Sequence, residues 1–452
     1  MADYKDLRIS IVGCGMGGLS CALGFAKRGF KQVDVYENAP GLGFVGAGIQ
    51  LAANMARVLD RWGCWQPIYK DATTITSSSI RQGSTNKELA YVEMPDIEAK
   101  YGYPHCTGHR ASLAGGMYDA CLKEKAITFH FGSTLTAVKD FGPGKAVFTV
   151  QPNEGAAYDV ETDVLLGCDG IKSIVRRDLV GKLGISADAK DTGQAAYRIM
   201  LTREEMAGDP EMLELLDSNC ALRWIGEKRH IVAYPIQSHT IYNLSTCQPD
   251  FNFASAPSAT YTTKGSKSAM LKVYEDFCPV VHRMLNLVPE GEVCEWKLRS
   301  QMPLENWTLG SVALVGDACH PTLPHLAQGA AMAIEDGAVL AEVVALCPSP
   351  TKDREALAKA LKVYQLLRKD HTTNLVQMAE FSGKSLHLGE GKAREERDRQ
   401  FEMARKKGTP VPDKWASPEV QHMIFSNDCV KLAQDRFEEL YSSLGKEKDL
   451  KL

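Results

Sequence analysis

The segment Gly13-Cys14-Gly15-Met16-Gly17-Gly18 constrains this chain more than any other. An apolar, strand-like run at residues 7–12 leads into it, a helical pattern at 19–29 leaves it, and a second strand follows at 33–37. Gly13 permits a tight turn, Gly15 lets backbone approach a pyrophosphate, and Gly18 lets helix and strand pack closely. The helix N-terminus would offer free N–H groups and a partial positive charge to phosphates. Glu37 closes the second strand at the distance such sites require, about 20 residues on. Its carboxylate would accept from ribose hydroxyls and repel a 2′-phosphate. The opening therefore predicts a site for an unphosphorylated adenosine ribose, in FAD or NAD.

Two later segments repeat the pattern of an apolar strand ending in a glycine–aspartate turn. Residues 164–167 run into Cys168-Asp169-Gly170, with Ser173 and Arg176 following. Residues 311–315 run into Gly316-Asp317, followed by His320-Pro321, Pro324, Gln328-Gly329-Ala330 and Glu335-Asp336. Each alone is compatible with an ordinary turn. In this order and spacing, the three segments resemble the single-component FAD-dependent aromatic hydroxylases, the salicylate hydroxylase-like flavoprotein monooxygenases. The resemblance covers roughly residues 7–380.

The resemblance implies a bound FAD and assigns residues to it. Gly13, Gly15, Gly18 and Glu37 take the adenosine end. Gly48, within residues 46–50 and near Asn54, lies beside the flavin ring. Arg110, within His109-Arg110-Ala111-Ser112-Leu113, lies near the flavin and its phosphates. Asp169 belongs to a motif for both FAD and NAD(P)H, and Asp317 would bond the ribityl chain. Gly329 and Ala330 start a helix whose positive end would stabilise anionic reduced flavin. Glu335 and Asp336 read either as part of this motif or as ordinary polar helix residues.

The implied reaction is monooxygenation: NADH or NADPH reduces FAD, O2 adds, and a C4a-hydroperoxide delivers an electrophilic oxygen. A phenol reacts well only as a phenolate, so the site needs a base or a hydrogen-bond partner beside the ring. His230 and Tyr234 are the catalytic candidates. On a strand they share one face with Val232, by the period of two, and the resembling enzymes carry His and Tyr at this spacing. Arg198 faces the pocket or the nicotinamide, or else makes an ordinary ion pair. His320 orders the flavin loop, and His325 helps define the substrate. The first reading of the substrate is a phenolic aromatic acid of salicylate or hydroxybenzoate type, with oxidative decarboxylation left open. The alternatives are the same chemistry on a secondary-metabolite scaffold (polyketide, indole or quinone), or a flavin-binding protein without turnover. No second glycine-rich fold distinguishes NADH from NADPH.

The whole chain sets outer limits. A net charge of −4 over 452 residues gives no basic surplus for nucleic acid. Thirteen cysteines without a Cys-x-x-Cys pair or zinc spacing read as reduced thiols in the cytoplasm, with no metal site. No signal peptide opens the chain, and Lys451-Leu452 does not end in a peroxisomal tripeptide. The longest apolar run, 330–346, is broken by Glu335, Asp336 and Glu342, so no membrane partner is expected. The expected architecture is α/β. A Rossmann-like FAD-binding domain with a parallel sheet comprises residues 1–76, 103–190 and 299–347. A mostly antiparallel β-sheet substrate domain comprises 77–102 and 191–298. A helical C-terminal region, 348–452, packs outside; its apolar-faced helices leave a homodimer open.

Overall fold

A computed structural model describes residues 4–43, 47–94, 96–185, 189–251, 262–301, 304–350, 353–407 and 412–449. Gly46 of the flavin-ring stretch, residues 408–411 of the breaker Gly408-Thr409-Pro410-Val411-Pro412, and Lys451-Leu452 lie outside the described residues.

A six-stranded sheet holds the three glycine segments. Its spatial order is Thr308–Leu309, Val312–Leu314, Val164–Gly167, Arg8–Val12, Gln32–Glu37, Ile127–Phe131. Every pairing is parallel except the edge hairpin of the first two strands. Parallel strands covered on both faces need near-continuous apolar runs. Ile9, Ile11, Val33, Val35, Leu165 and Leu166 supply them and are wholly buried. Because all three motifs follow strands of this one sheet, their turns emerge at the same edge. That edge is where ligands bind in open α/β sheets. The helices Met16–Lys27 and Gly329–Ala345 lie against each other, and Ser20 Oγ donates to the carbonyl of Ile334 at 2.7 Å.

An eight-stranded sheet forms the second layer, in the order Thr262–Lys264, Cys294–Gln301, Ala189–Thr202, Ile241–Pro249, Arg229–Ile236, Cys220–Gly226, Ser77–Gln82, Glu88–Glu93. It is antiparallel except between Cys220–Gly226 and Ser77–Gln82. One face packs Trp224, Tyr242, Ile231 and Ala233 against the helices Pro210–Asp217, Lys267–Val273 and Pro279–Leu287. The other face turns toward the glycine segments.

Two expectations are corrected. Within the span 103–190, assigned to a domain with a parallel sheet, not every strand joins that sheet. Instead Ser133–Asp140, Ala146–Pro152 and Tyr158–Thr162 form their own three-stranded antiparallel sheet. Their alternating burial suits strands covered on one face only, unlike the doubly covered parallel strands. The C-terminal region is helical, with Arg354–Leu386, Lys392–Lys407, Pro418–Phe425 and Cys429–Asp449, but it does not simply pack outside. Arg368, Trp415, Phe425 and Asp413 are buried. Even the charged helix Lys392–Lys407 buries Phe401 and Arg397. Among the described residues, no helix is long and apolar enough to cross a membrane.

Candidate active site

Two chambers meet at the glycine turn. The first, of about 380 Å³, is lined by Gly13, Gly15, Glu37, Asp169 and Lys172. Gly13 adopts φ +97°, and a Cβ there would sit 2.5 Å from the Cys168 carbonyl oxygen. At Gly18 a Cβ would fall 1.9 Å from the Gly13 carbonyl oxygen, so helix and strand touch here as the sequence implied. A Cβ at Gly15 would meet nothing within 4 Å, because the cleft lies in front of it. Glu37 accepts from the backbone N–H of Cys14 at 2.7 Å and of Ala39 at 2.9 Å, bracing the turn while lining the chamber. Asp169 also lines it, but its carboxylate accepts from Ser173 Oγ (2.5 Å) and the Ile174 N–H (2.7 Å). It holds the start of the helix Ile174–Lys182 in place.

The second chamber, of about 400 Å³, shares Gly15, Cys168 and Gly170 with the first. Gly48, Arg110, Asp317, Gly329 and Ala330 line its inner side. The Gly48 N–H donates to Asn243 Oδ1 at 2.7 Å, and a Cβ on Gly48 would meet that side chain at 2.4 Å. The Asp317 side chain is exposed to the chamber, between the buried Gly316 and Ala318. The protein crowded around the chamber mouth raises its carboxyl above the usual range, with His320 and Arg110 opposing. The N-termini of Met16–Lys27 and Gly329–Ala345 both reach the chamber. Bare backbone at Gly15, two helix starts and a ribose-height carboxylate fit a bound FAD.

The outer wall comes from the eight-stranded sheet. His230, Val232 and Tyr234 all line the chamber, while Ile231 and Ala233 point into the core behind, as the period of two predicted. Burial pushes the Tyr234 hydroxyl up, with Arg198 opposing. Burial pushes the His230 imidazole well below its ordinary value, reinforced by His387, His325 and Arg223. Arg198 lines the chamber with its guanidinium 5.1 Å from the Trp296 ring centre. Burial, then the Arg110 charge, lowers its pKa. Neither Arg110 nor Arg198 forms an ion pair among the described residues.

The sequence matches the FAD binding domain family over residues 6–379. The chain belongs to that family. It is 31% identical to 3-hydroxybenzoate 6-hydroxylase 1 of Aquipseudomonas alcaligenes, over 85% of this chain and 91% of the relative. It is 28% identical to the FAD-dependent monooxygenase OpS4 of Beauveria bassiana (strain ARSEF 2860), over 95% of this chain and 97% of the relative. A salicylate hydroxylase substrate complex superposes with TM-score 0.75 at 19% identity, over 95% of this chain and 98% of that one. The protein is thus a flavin-dependent monooxygenase of the aromatic hydroxylase type, with FAD as its cofactor.

The flavoprotein's third motif is built around a buried charge network. His320 Nε2 lies 2.6 Å from Asp336 Oδ2, and Arg368 pairs with both Asp336 and Glu335 at 2.8 Å. Asn54 donates to Glu335 at 3.0 Å. Burial would raise the Asp336 carboxyl, but His320 and Arg368 override it and push it down to about 2. Burial would lower His320, but Cys319 and Asp336 hold it well above the ordinary histidine value. Glu335 and Asp336 thus join Asn54, His320 and Arg368 in one buried network that ties the His320 loop to the helix Gly329–Ala345.

Sequence reasoning missed several residues of the flavoprotein's outer wall. Asn243 is the register partner of Tyr234, so only strand pairing reveals it. Arg223 lines the chamber and is paired at 2.8 Å with the buried Asp413. Trp415 lies beneath Arg223 and donates from Nε1 to Gln50 Oε1 at 3.0 Å. His387 sits 2.6 Å from His230, Nε2 to Nδ1. His325 is buried with its ring 5.3 Å from that of His230, and it does not line the chamber itself.

Proposed function

We propose that this flavoprotein hydroxylates a phenolic aromatic acid of hydroxybenzoate or salicylate type, with O2 and NADH or NADPH as co-substrates. The observation that carries the reading is the Arg198 guanidinium. It lines a small chamber beside Tyr234 and His230 with no carboxylate of its own. A second cation, Arg110, lines the same chamber. Arg110 has the Asp317 carboxyl in the same chamber and is assigned to the flavin phosphates, so Arg198 is the cation left for a substrate anion, and a charge-assisted pair with it would orient a substrate carboxylate.

Bound FAD supplies electron transfer from NAD(P)H and the activation of oxygen. The chain supplies the rest. Tyr234 can donate to the substrate's phenolic oxygen, and neutral His230 can accept its proton. Ile49, Val232, Pro324 and Ala327 line the chamber with apolar groups and limit water. A drug-sized ligand alone typically fills about 300–1,000 Å³. Here about 400 Å³ must seat ring cofactor and substrate together, which favours a single-ring substrate. Thirteen free thiols suit a reducing compartment, so we place the protein in the cytosol.

One observation favours the same chemistry on a larger secondary-metabolite scaffold. The match to OpS4 spans 433 residues against 387 for the hydroxybenzoate enzyme, so more of this chain is shared with it. The deciding experiment measures NADH and NADPH oxidation by the FAD-loaded protein with phenolic acids, their methyl esters and fused-ring phenols, analysing product and CO2. The proposal expects hydroxylated product from the acids and little from the esters. Turnover confined to uncharged fused-ring phenols would transfer the reading to that second class. FAD binding with no stimulated oxidation by any compound would revive the non-catalytic reading.

A further inference from the structure

His387 reaches the reacting wall from behind, on a stretch of chain to which no motif pointed. It follows directly on the 33-residue helix Arg354–Leu386 and is half-buried, whereas His230 faces the chamber and is fully buried. Two imidazole nitrogens 2.6 Å apart need one proton between them, so one ring donates and the other accepts. His230 Nδ1 is thereby engaged, leaving Nε2 for the substrate.

We propose that His387 is the proton outlet of the site and sets the tautomer of His230. The inference rests on the phenol reading above. In the resting sense of the bond, His230 Nδ1–H donates to His387 Nε2, and His230 Nε2 is a free base. The substrate O–H bond then breaks and a His230 Nε2–H bond forms. The His230 Nδ1–H proton passes to His387 Nε2, and the His387 Nδ1 proton leaves to solvent. One proton moves from substrate to water, no electrons are transferred, and both rings end neutral. The hydrogen bond now runs the other way. His230 Nε2–H becomes a donor that holds the phenolate; the Gln194 amide, whose Nε2 lies 3.4 Å from His387 Nδ1, turns its oxygen to Nδ1–H in the resting sense and its NH2 to the bare nitrogen after release.

The surroundings favour transit over storage. Arg223 on the neighbouring strand, Arg397 on the helix Lys392–Lys407, and the His325 ring all face this pair, with the Cys247 thiol alongside. Burial first, and then Arg223 and Arg397 even though they are paired with Asp413 and Asp398, disfavour a resting imidazolium, so a proton arriving at His387 moves on. The nitrogens of His230 and His387 and the sulfur of Cys247 lie within 4.8 Å of one another, a spacing a metal could bridge, but Arg223 beside them opposes another cation.

The test uses FAD-loaded wild type, His387→Gln and His387→Ala with a nitro-substituted hydroxybenzoate, whose phenolate absorbs visible light. Stopped-flow absorbance follows ionisation of the probe, and a pH indicator follows proton release. Wild type is expected to ionise the probe and release one proton. His387→Gln should slow both by about tenfold or more, with little change in probe affinity and an altered pH–rate profile. Imidazole should restore the rate in His387→Ala, which keeps the test decisive if His387→Gln folds poorly. Unchanged release in His387→Gln with an unchanged pH profile would overturn the outlet alone. Failure of wild type to ionise the probe would overturn the phenol reading and the outlet with it.

Discussion

Gly18 shows how narrow the tolerance is at single positions. Its missing Cβ would lie 1.9 Å from a backbone oxygen, which cannot rotate away. Gly18→Ala should cost about 1–3 kcal/mol of stability and release FAD, read as flavin content after gel filtration and as Tm. Arg198→Gln tests the anion site. Loss of a charge-assisted bond worth about 1.5–3 kcal/mol should weaken a phenolic acid by about 10- to 100-fold and leave its methyl ester unmoved. Equal losses for acid and ester would remove Arg198 from carboxylate binding. The glycines were legible in the sequence because a turn's sterics are local. His230 and Tyr234 were legible because a strand alternates. Asn243, Arg223 and His387 were not, since their meaning comes from partners far away in the chain. Asp169 was legible as a site residue, but not the capping bonds that occupy its oxygens.

At the scale of elements, periodicity marks strands and helices more readily than their neighbours. Ser133–Asp140 falls in the span assigned to the parallel-sheet domain but pairs in a sheet of its own, because local patterning does not specify the pairing partner. The C-terminal helices were foreseen as helices. Their burial was hidden because inward residues such as Arg368 and Asp413 are charged, and a charge normally signals solvent. Asp413→Asn should make that burial measurable. It strands Arg223, whose side chain is 7% exposed, and breaking a buried pair costs about 3–5 kcal/mol. The unfolding midpoint should drop clearly, and substrate affinity should change because Arg223 lines the chamber. A wild-type midpoint would mean that the pair contributes little.

The whole molecule should be sensitive to acid. Burial lowers His105 and His387 to about 4 and His325 to about 3, and holds His230 well below its ordinary value. These groups are neutral when folded but bind protons near the ordinary value of about 6.5 when unfolded. The unfolded state therefore takes up more protons in that window, and stability falls as pH drops from about 6.5 toward 4. His320 has the opposite sign. Its raised value contributes stability that is complete below about 6.5 and is lost as pH rises through its folded value. Urea midpoints should fall between pH 7 and pH 5; a flat profile would contradict the buried neutral histidines.

The long helix Arg354–Leu386 has a consequence for engineering. At 1.5 Å per residue it is a rod of about 50 Å. Arg368, near its middle, is bolted to Asp336 on the flavin-facing helix, and His387 rides at its tip beside His230. The rod works as a ruler with an angular scale. Deleting one residue between Arg368 and His387 would turn the tip by about 100° and shorten it by about 1.5 Å. The imidazole would swing out of register while the flavin chamber stayed intact.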